Sequence, residues 1–269
     1  MDLGMRERLE VLVAHLVDAA VAELDQRWHT WKLDPLNPEA PEVVGGLLAR
    51  QVRLLAGLAS SPPLWNGDLG GVLLRAMYEV EIAVAWIIKS PDDRSRKYIE
   101  YGLGQEKLHL EHLKRLSAGR DEPVPEFMAR MEAWLSSQRF PWFTVVNVGA
   151  WADIPVRRMA EEAGIKDLYD LNYAPMSAVA HSAWNLVGKH NLRRCDNPLH
   201  RHHRIPVVQT EELDISAVWE AVETLDRSFK YSDAWSAENS WAPAIDTFSR
   251  EFGEMVDAIT KKNESEGAT

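Results

Sequence analysis

The chain carries one cysteine, Cys195, in 269 residues, so no internal disulfide can form. It is also short of positive charge: 30 Lys and Arg stand against 41 Asp and Glu, for a net charge of -11. Such a balance repels nucleic acid and acidic membranes on average, and a phosphate-bearing partner would need a locally basic patch. No basic-then-apolar leader pattern precedes the first helical stretch, which with the lone cysteine predicts a reducing cytoplasm. One run, Leu69–Ile88, has membrane-spanning length, but Arg75, Glu79 and Glu81 interrupt it and would make insertion expensive. No membrane partner is expected. Internal repeats, low-complexity linkers and composition shifts are missing too, so nothing in the pattern forces a second domain.

What the chain does have is apolar mass. Hydrophobic residues make up 46% of it and tryptophan occurs 11 times, ample for a core. Leu9, Leu12, Val13, Leu16, Val17, Ala20, Leu24, Trp28 and Trp31 recur at steps of three and four, which predicts a long helix from Asp2 to about Trp31. A second helix follows from Pro41 to Ser60. The run 69–88 is apolar on nearly every side and so predicts a central, buried helix. Ser90-Pro91-Asp92-Asp93 is a helix start, and the helix from Pro91 to about Ala118, with Gly119 as its stop, is expected to pack along the central one.

Shorter helices are expected over Pro125–Ser137, over Ile154–Ala163 between the cap Asp153 and the stop Gly164, and over Met176–Val187. Gly188–Leu213 reads as a long polar connection. Asp214 caps a further helix through Phe229, and Trp241 to Ile259 mark the last. The aromatic run Phe140–Val146 has strand-like residues but reads as an anchored connection. The architecture predicted is an all-α, single-domain bundle of about eight helices over residues 1–262, followed by a disordered tail, 263–269.

Two polar constellations could carry chemistry. Arg75 and Glu79 share one face of the central helix, four residues apart. They form either a register-fixing ion pair or a pocket in which Arg75 binds an anion or steadies developing charge. Glu81 points elsewhere. Further on, Tyr173, Ser177 and His181 are spaced by four, beside Tyr169, and His181 could act as an acid or base near neutral pH. Arg75, Glu79 and His181 are thus candidate catalytic residues.

An Arg-x-x-x-Glu on an apolar helix (Arg75, Glu79), an Arg with a nearby Tyr on the next (Arg94, Tyr98), and a later Tyr-x-x-x-Ser-x-x-x-His (Tyr173, Ser177, His181) together resemble a bacterial family of all-helical proteins of unknown function. The segment Asn197-Pro198-Leu199-His200-Arg201-His202-His203-Arg204-Ile205-Pro206 also resembles that group. The resemblance implies a bundle with a shared polar centre, and Arg94, Tyr98, Tyr173 and Ser177 are candidate ligand-binding residues. It supplies no reaction.

The stretch from Lys189 to Arg204 is the basic patch. Lys189, Arg193, Arg194, Arg201 and Arg204 against Asp196 give a local excess of positive charge, and four histidines add to it at lower pH. It suits RNA or another phosphate-bearing ligand, with Arg201, His203 and Arg204 as binding residues, or the surplus acids of a second copy in a homodimer. Within it Arg194-x5-His200 is similar to the active-site motif of the HEPN helical ribonucleases. There the motif opens a helix, whereas Pro198 puts this one in a loop.

Cys195, His200, His202 and His203 are enough in number for zinc. Zinc sites usually draw ligands in spaced pairs from separate elements, however, and these crowd one loop, so the nonmetal reading is preferred and no cofactor is expected. Glu106-x-x-His109 with Glu79 is half of a di-iron pattern. The functions that remain are a phosphodiester-directed effector of the defence or toxin kind, using Arg194 and His200 or the Arg75 centre, and a noncatalytic bundle that holds a small anion. A metalloprotein ranks third.

Overall fold

A computed structural model describes residues 3–36, 38–117, 125–138, 151–208, 214–237 and 241–267. The all-α class is as the periodicity predicts. The helices are α1 (Leu3–Thr30), α2 (Glu39–Ala59), α3 (Leu69–Ile87), α4 (Pro91–Ser117), α5 (Glu126–Ser137), α6 (Val156–Ala163), α7 (Lys166–Leu168), α8 (Ala174–Ala180), α9 (Trp184–His190), α10 (Ser216–Ser232) and α11 (Ala244–Gly267). That is more than eight, because the stretch from 166 to 190 is broken into short pieces. The Phe140–Val146 run and the expected stop at Gly119 lie outside the described residues.

Helix α3 is the hub. Met77, Tyr78, Ile82, Val84 and Ile87 are buried, and the helix touches α2, α6, α8 and α10. Two glycines at its start allow the close approaches. A Cβ on Gly70 would stand 2.2 Å from the Leu64 carbonyl oxygen, and one on Gly71 would meet the Met176 sulfur at 2.9 Å. The second contact is what lets α8 lie directly on α3.

Helix α4 corrects an expectation. It packs chiefly against α2 and meets α3 only slightly, instead of running along it. Its sequence explains this: Ser95, Leu103, Gly104 and Leu110 are its buried residues, too narrow a stripe to cover two neighbours. The result is a gap between α3 and α4, floored by α2.

The later segments also differ from the pattern reading. The expected helix 176–187 is two helices, α8 and α9, separated at His181–Ala183, where Ser182 takes a positive φ of 50°. Before α8, Tyr169–Tyr173 form a single π-helical turn. Asp153 does not cap α6; it has φ 57°, and the helix starts three residues later at Val156, while Gly164 ends it in the left-handed conformation with φ 82° as predicted. The long polar connection holds an antiparallel hairpin of β1 (Leu192–Arg194) and β2 (Arg204–Pro206), paired Leu192 to Pro206, Arg193 to Ile205 and Arg194 to Arg204.

Buried charge ties the chain ends to the middle. Arg27 on α1, 1% exposed, donates to Glu23 at 2.9 Å, to the Phe229 carbonyl at 3.3 Å and to Asp233, and its guanidinium lies 4.1 Å from the Trp241 ring centroid. Glu23 in turn accepts the Ala244 backbone N–H at the start of α11.

Candidate functional site

The gap left by α4 is a cleft of about 480 Å³. Leu47, Arg50 and Leu54 of α2 form its floor, Ala76, Glu79, Val80 and Ala83 of α3 one wall, and Tyr98, Tyr101, Gly102 and Gln105 of α4 the other, with Trp151 closing one side. Its volume is that of small-molecule sites, and its mix of apolar side chains with a few polar groups is the usual lining of such sites.

Glu79 links this cleft to the predicted Arg75 pair. Its carboxylate accepts from the Arg75 guanidinium at 2.5 Å, and Arg75 also donates to the Tyr173 hydroxyl at 2.8 Å. The guanidinium carbon sits 5.0 Å from the Tyr173 ring centroid, and that ring stacks on Tyr169 at 5.1 Å. Both tyrosines belong to the π-helical turn, and their i, i+4 offset puts the two rings on one face. Burial, and then the Glu79 charge, raise the hydroxyl pKa of Tyr173 and of Tyr98, so both stay protonated donors. Arg75 and Tyr173 stand behind Glu79 and fix its carboxylate at the cleft wall.

A line of aromatic rings, meeting edge to face, frames the other end. Arg94 lies over Trp86 at 3.7 Å and donates to the Trp86 carbonyl at 2.5 Å and to Glu162 at 3.3 Å. Trp151 meets Trp86 edge-on at 5.4 Å and Tyr98 at 4.9 Å. Arg94 therefore holds the frame, while Tyr98 and Trp151 face the cleft.

Of the residues singled out by spacing, Arg75, Glu79 and Tyr173 come together within hydrogen-bond reach, and Tyr98 lines the same cleft. Ser177 is part-buried on α8. His181 is exposed just beyond α8 and joins none of the Arg75 contacts. The stripe fails there because α8 ends at Ala180. Among the described residues Glu106 and His109 do not converge with Glu79, so the half di-iron pattern forms no ligand group.

The basic segment lies apart, on the hairpin. Arg194 ends β1, His200 and Arg201 occupy the exposed tip, His203 precedes β2, and Arg204 opens it and donates to the Gly188 carbonyl at 2.8 Å. Arg193 is engaged by Asp196 at 2.8 Å. Arg194 thus sits in a strand and not at a helix start.

Sequence spacing gave Glu81 no companion, and the structure supplies one. Glu81, 1% exposed on α3, accepts from Arg227 of α10 at 2.8 and 3.2 Å, and Glu220 and Glu223 flank the same guanidinium. Burial outweighs the arginine and pushes the Glu81 carboxyl up to about 7. Tyr231 is pushed up to about 12 by burial and then by Glu81. Neither Glu81 nor Arg227 lines the cleft, and the pair reads as the register lock between α3 and α10.

Comparison with known families is decisive on one point. The model of a family of unknown function, DUF5677, matches residues 42–198. The chain belongs to this family. The DUF5677 span runs from α2 through β1, so it contains the whole cleft, the Arg75–Glu79–Tyr173 cluster and the aromatic frame, whereas Arg227 and the residues from Leu199 onward fall outside it. No curated protein and no solved structure matches the chain.

Proposed function

We propose that the protein is a noncatalytic, small-molecule-binding helical bundle whose ligand occupies the α2–α3–α4 cleft. The observation that carries this reading is the cleft itself: about 480 Å³, with two leucines and Arg50 at the floor, an oriented carboxylate on one wall and aromatic rings opposite. The chemistry of the lining suggests the ligand class. An apolar, planar body suits Tyr98 and Trp151, a hydrogen-bond donor suits Glu79, and an anionic group suits Arg50, an exposed cation with no ion pair among the described residues. Among the described lining residues Glu79 shares the cleft with Tyr98, Tyr101 and Arg50, groups that hold a ligand by hydrogen bonding and charge.

Gly102 provides the test. It lies on the cleft wall, and a Cβ built there meets nothing within 4 Å, so Gly102→Phe adds an aromatic ring at that wall with no clash at its Cβ and is designed to obstruct the cleft. Wild-type protein and Gly102→Phe are incubated with a small-molecule extract of cells, separated from free solute and analysed by mass spectrometry. The reading expects a compound retained by the wild type and missing from the variant. Identical profiles would refute it.

A phosphodiester-directed activity is the second reading. It is favoured by the exposed Arg194, Arg201 and His202 at the hairpin tip, and cleavage of total RNA that disappears in Arg194→Ala would establish it.

A further inference from the structure

The hairpin tip, separate from the cleft, brings together three side chains of metal-binding type that the sequence had seemed to crowd onto one loop. Strands β1 and β2 reverse the chain so that Cys195 and His203 fall opposite each other, one residue beyond the Arg194–Arg204 pair. The Cys195 backbone N–H donates to the His203 carbonyl at 3.0 Å, extending the ladder by that step. Two tight turns then fold the tip inward: the His200 N–H donates to the Asn197 carbonyl at 3.0 Å and the His203 N–H to the His200 carbonyl at 3.1 Å. Zinc sites want ligands from separate elements, and the two strand ends together with the turn between them meet that need.

The distances suit the ion. The Cys195 sulfur lies 3.6 Å from His200 Nδ1. At a tetrahedral zinc, with bonds of about 2.3 Å to sulfur and about 2.0 Å to nitrogen, the sulfur–nitrogen edge is about 3.5 Å. The His200 and His203 rings stand edge-on at 5.4 Å between centroids, and the ligand atoms of all three residues fall within 4.8 Å of one another. Tetrahedral edges of about 3.3–3.5 Å would bring these atoms up to about 1.5 Å closer, and the exposed His203 side chain has the rotamer freedom to move. Among the described residues this is the one group of three or more Cys, His, Asp and Glu side chains that converges in this way.

We propose that Cys195, His200 and His203 form a binding site for zinc, with the fourth tetrahedral position open to water on the exposed side of the tip. A thiolate with two imidazoles is a borderline-soft donor set, which selects zinc over calcium or magnesium. Cys195 binds as the thiolate, so its proton leaves to solvent as the metal enters. Metal occupancy would lock the tip of a hairpin whose strands are only three residues long, and so fix the basic side chains around it.

The test uses the full chain, stripped of metal with a chelator and titrated with cobalt(II), which takes zinc's geometry and reports it by absorption. The proposal expects a sulfur-to-cobalt charge-transfer band and tetrahedral ligand-field bands saturating at one equivalent, erased by one equivalent of zinc. Cys195→Ser should abolish the charge-transfer band. His203→Ala should weaken cobalt binding more than about 100-fold, beyond the loss of a supporting hydrogen bond. His203 also separates the site from a metal-free contact between Cys195 and His200, which has no use for a third ligand. Octahedral spectra, a charge-transfer band that survives Cys195→Ser, or binding unchanged in His203→Ala would overturn it. Both substitutions lie next to the hairpin strands, outside the helical core, and circular dichroism matching the wild type confirms that each variant is folded.

Discussion

Glu81 makes the stability of this protein fall as pH rises, over a window that can be stated in advance. Its carboxyl is raised from 4.5 to about 7 in the folded chain. Below 4.5 it is protonated whether the chain is folded or not, and its contribution is fully present. Between 4.5 and 7 the unfolded chain releases the proton while the folded chain keeps it, so each step up in pH favours unfolding. The loss is complete once the pH passes through the folded value.

A shift of this size corresponds to about 3 kcal/mol. For a chain of this length that is on the order of 10 °C in Tm. Glu23, also raised by burial, pulls in the same direction, whereas Glu162 and Asp170 are lowered and titrate below the window. Glu81→Gln imitates the protonated acid, keeps its shape and cannot ionise. Chemical denaturation of wild type and variant across the window reads the effect. The two should be close in stability near the acid end, and the variant should be the more stable by up to about 3 kcal/mol at the alkaline end. A wild type that gains stability as pH rises through this window, or a variant with the same slope as the wild type, would refute the reasoning.

Three further perturbations follow from buried charge and from close or open packing. Arg27→Ala leaves Glu23 buried without its cation and should cost about 3–5 kcal/mol, whereas Arg27→Met with Glu23→Gln should recover much of that loss; both are read by urea denaturation. Gly70→Ala forces a Cβ onto the Leu64 carbonyl and should cost about 1–3 kcal/mol. Gly102→Ala, with open space at its Cβ, should instead gain up to about 1 kcal/mol from helix propensity, and a scan of Tm separates the two signs.

The parts of this molecule that depend on one helix were legible in the sequence. Arg75 and Glu79 pair because an i, i+4 offset puts them on one face, and the apolar run around them is a hub because no face is left polar. Contacts between distant segments were not legible. Arg227 lies 146 residues from Glu81 and carries no local signal, since an arginine on an amphipathic helix reads as solvated. The cleft was hidden because it is a gap between helices, produced by the narrow apolar stripe of α4 and closed by a tryptophan from another segment. The end of α8 at Ala180 cut the Tyr-x-x-x-Ser-x-x-x-His stripe short, so that Tyr173 reached the centre and His181 did not. The hairpin carries no signal of its own in the pattern, because three-residue strands are too short to show alternation.

The central claim, that the α2–α3–α4 cleft is a ligand site for an apolar body with an anionic group, is tested most directly by titrating the protein with anilinonaphthalene sulfonate, a probe of that chemistry, and following its fluorescence. The account predicts saturable binding at one equivalent in the wild type, weakened in Arg50→Ala and lost in Gly102→Phe, with Gly102→Phe no less stable than the wild type. Undiminished binding to Gly102→Phe would contradict it, because the probe would then be held somewhere other than the cleft.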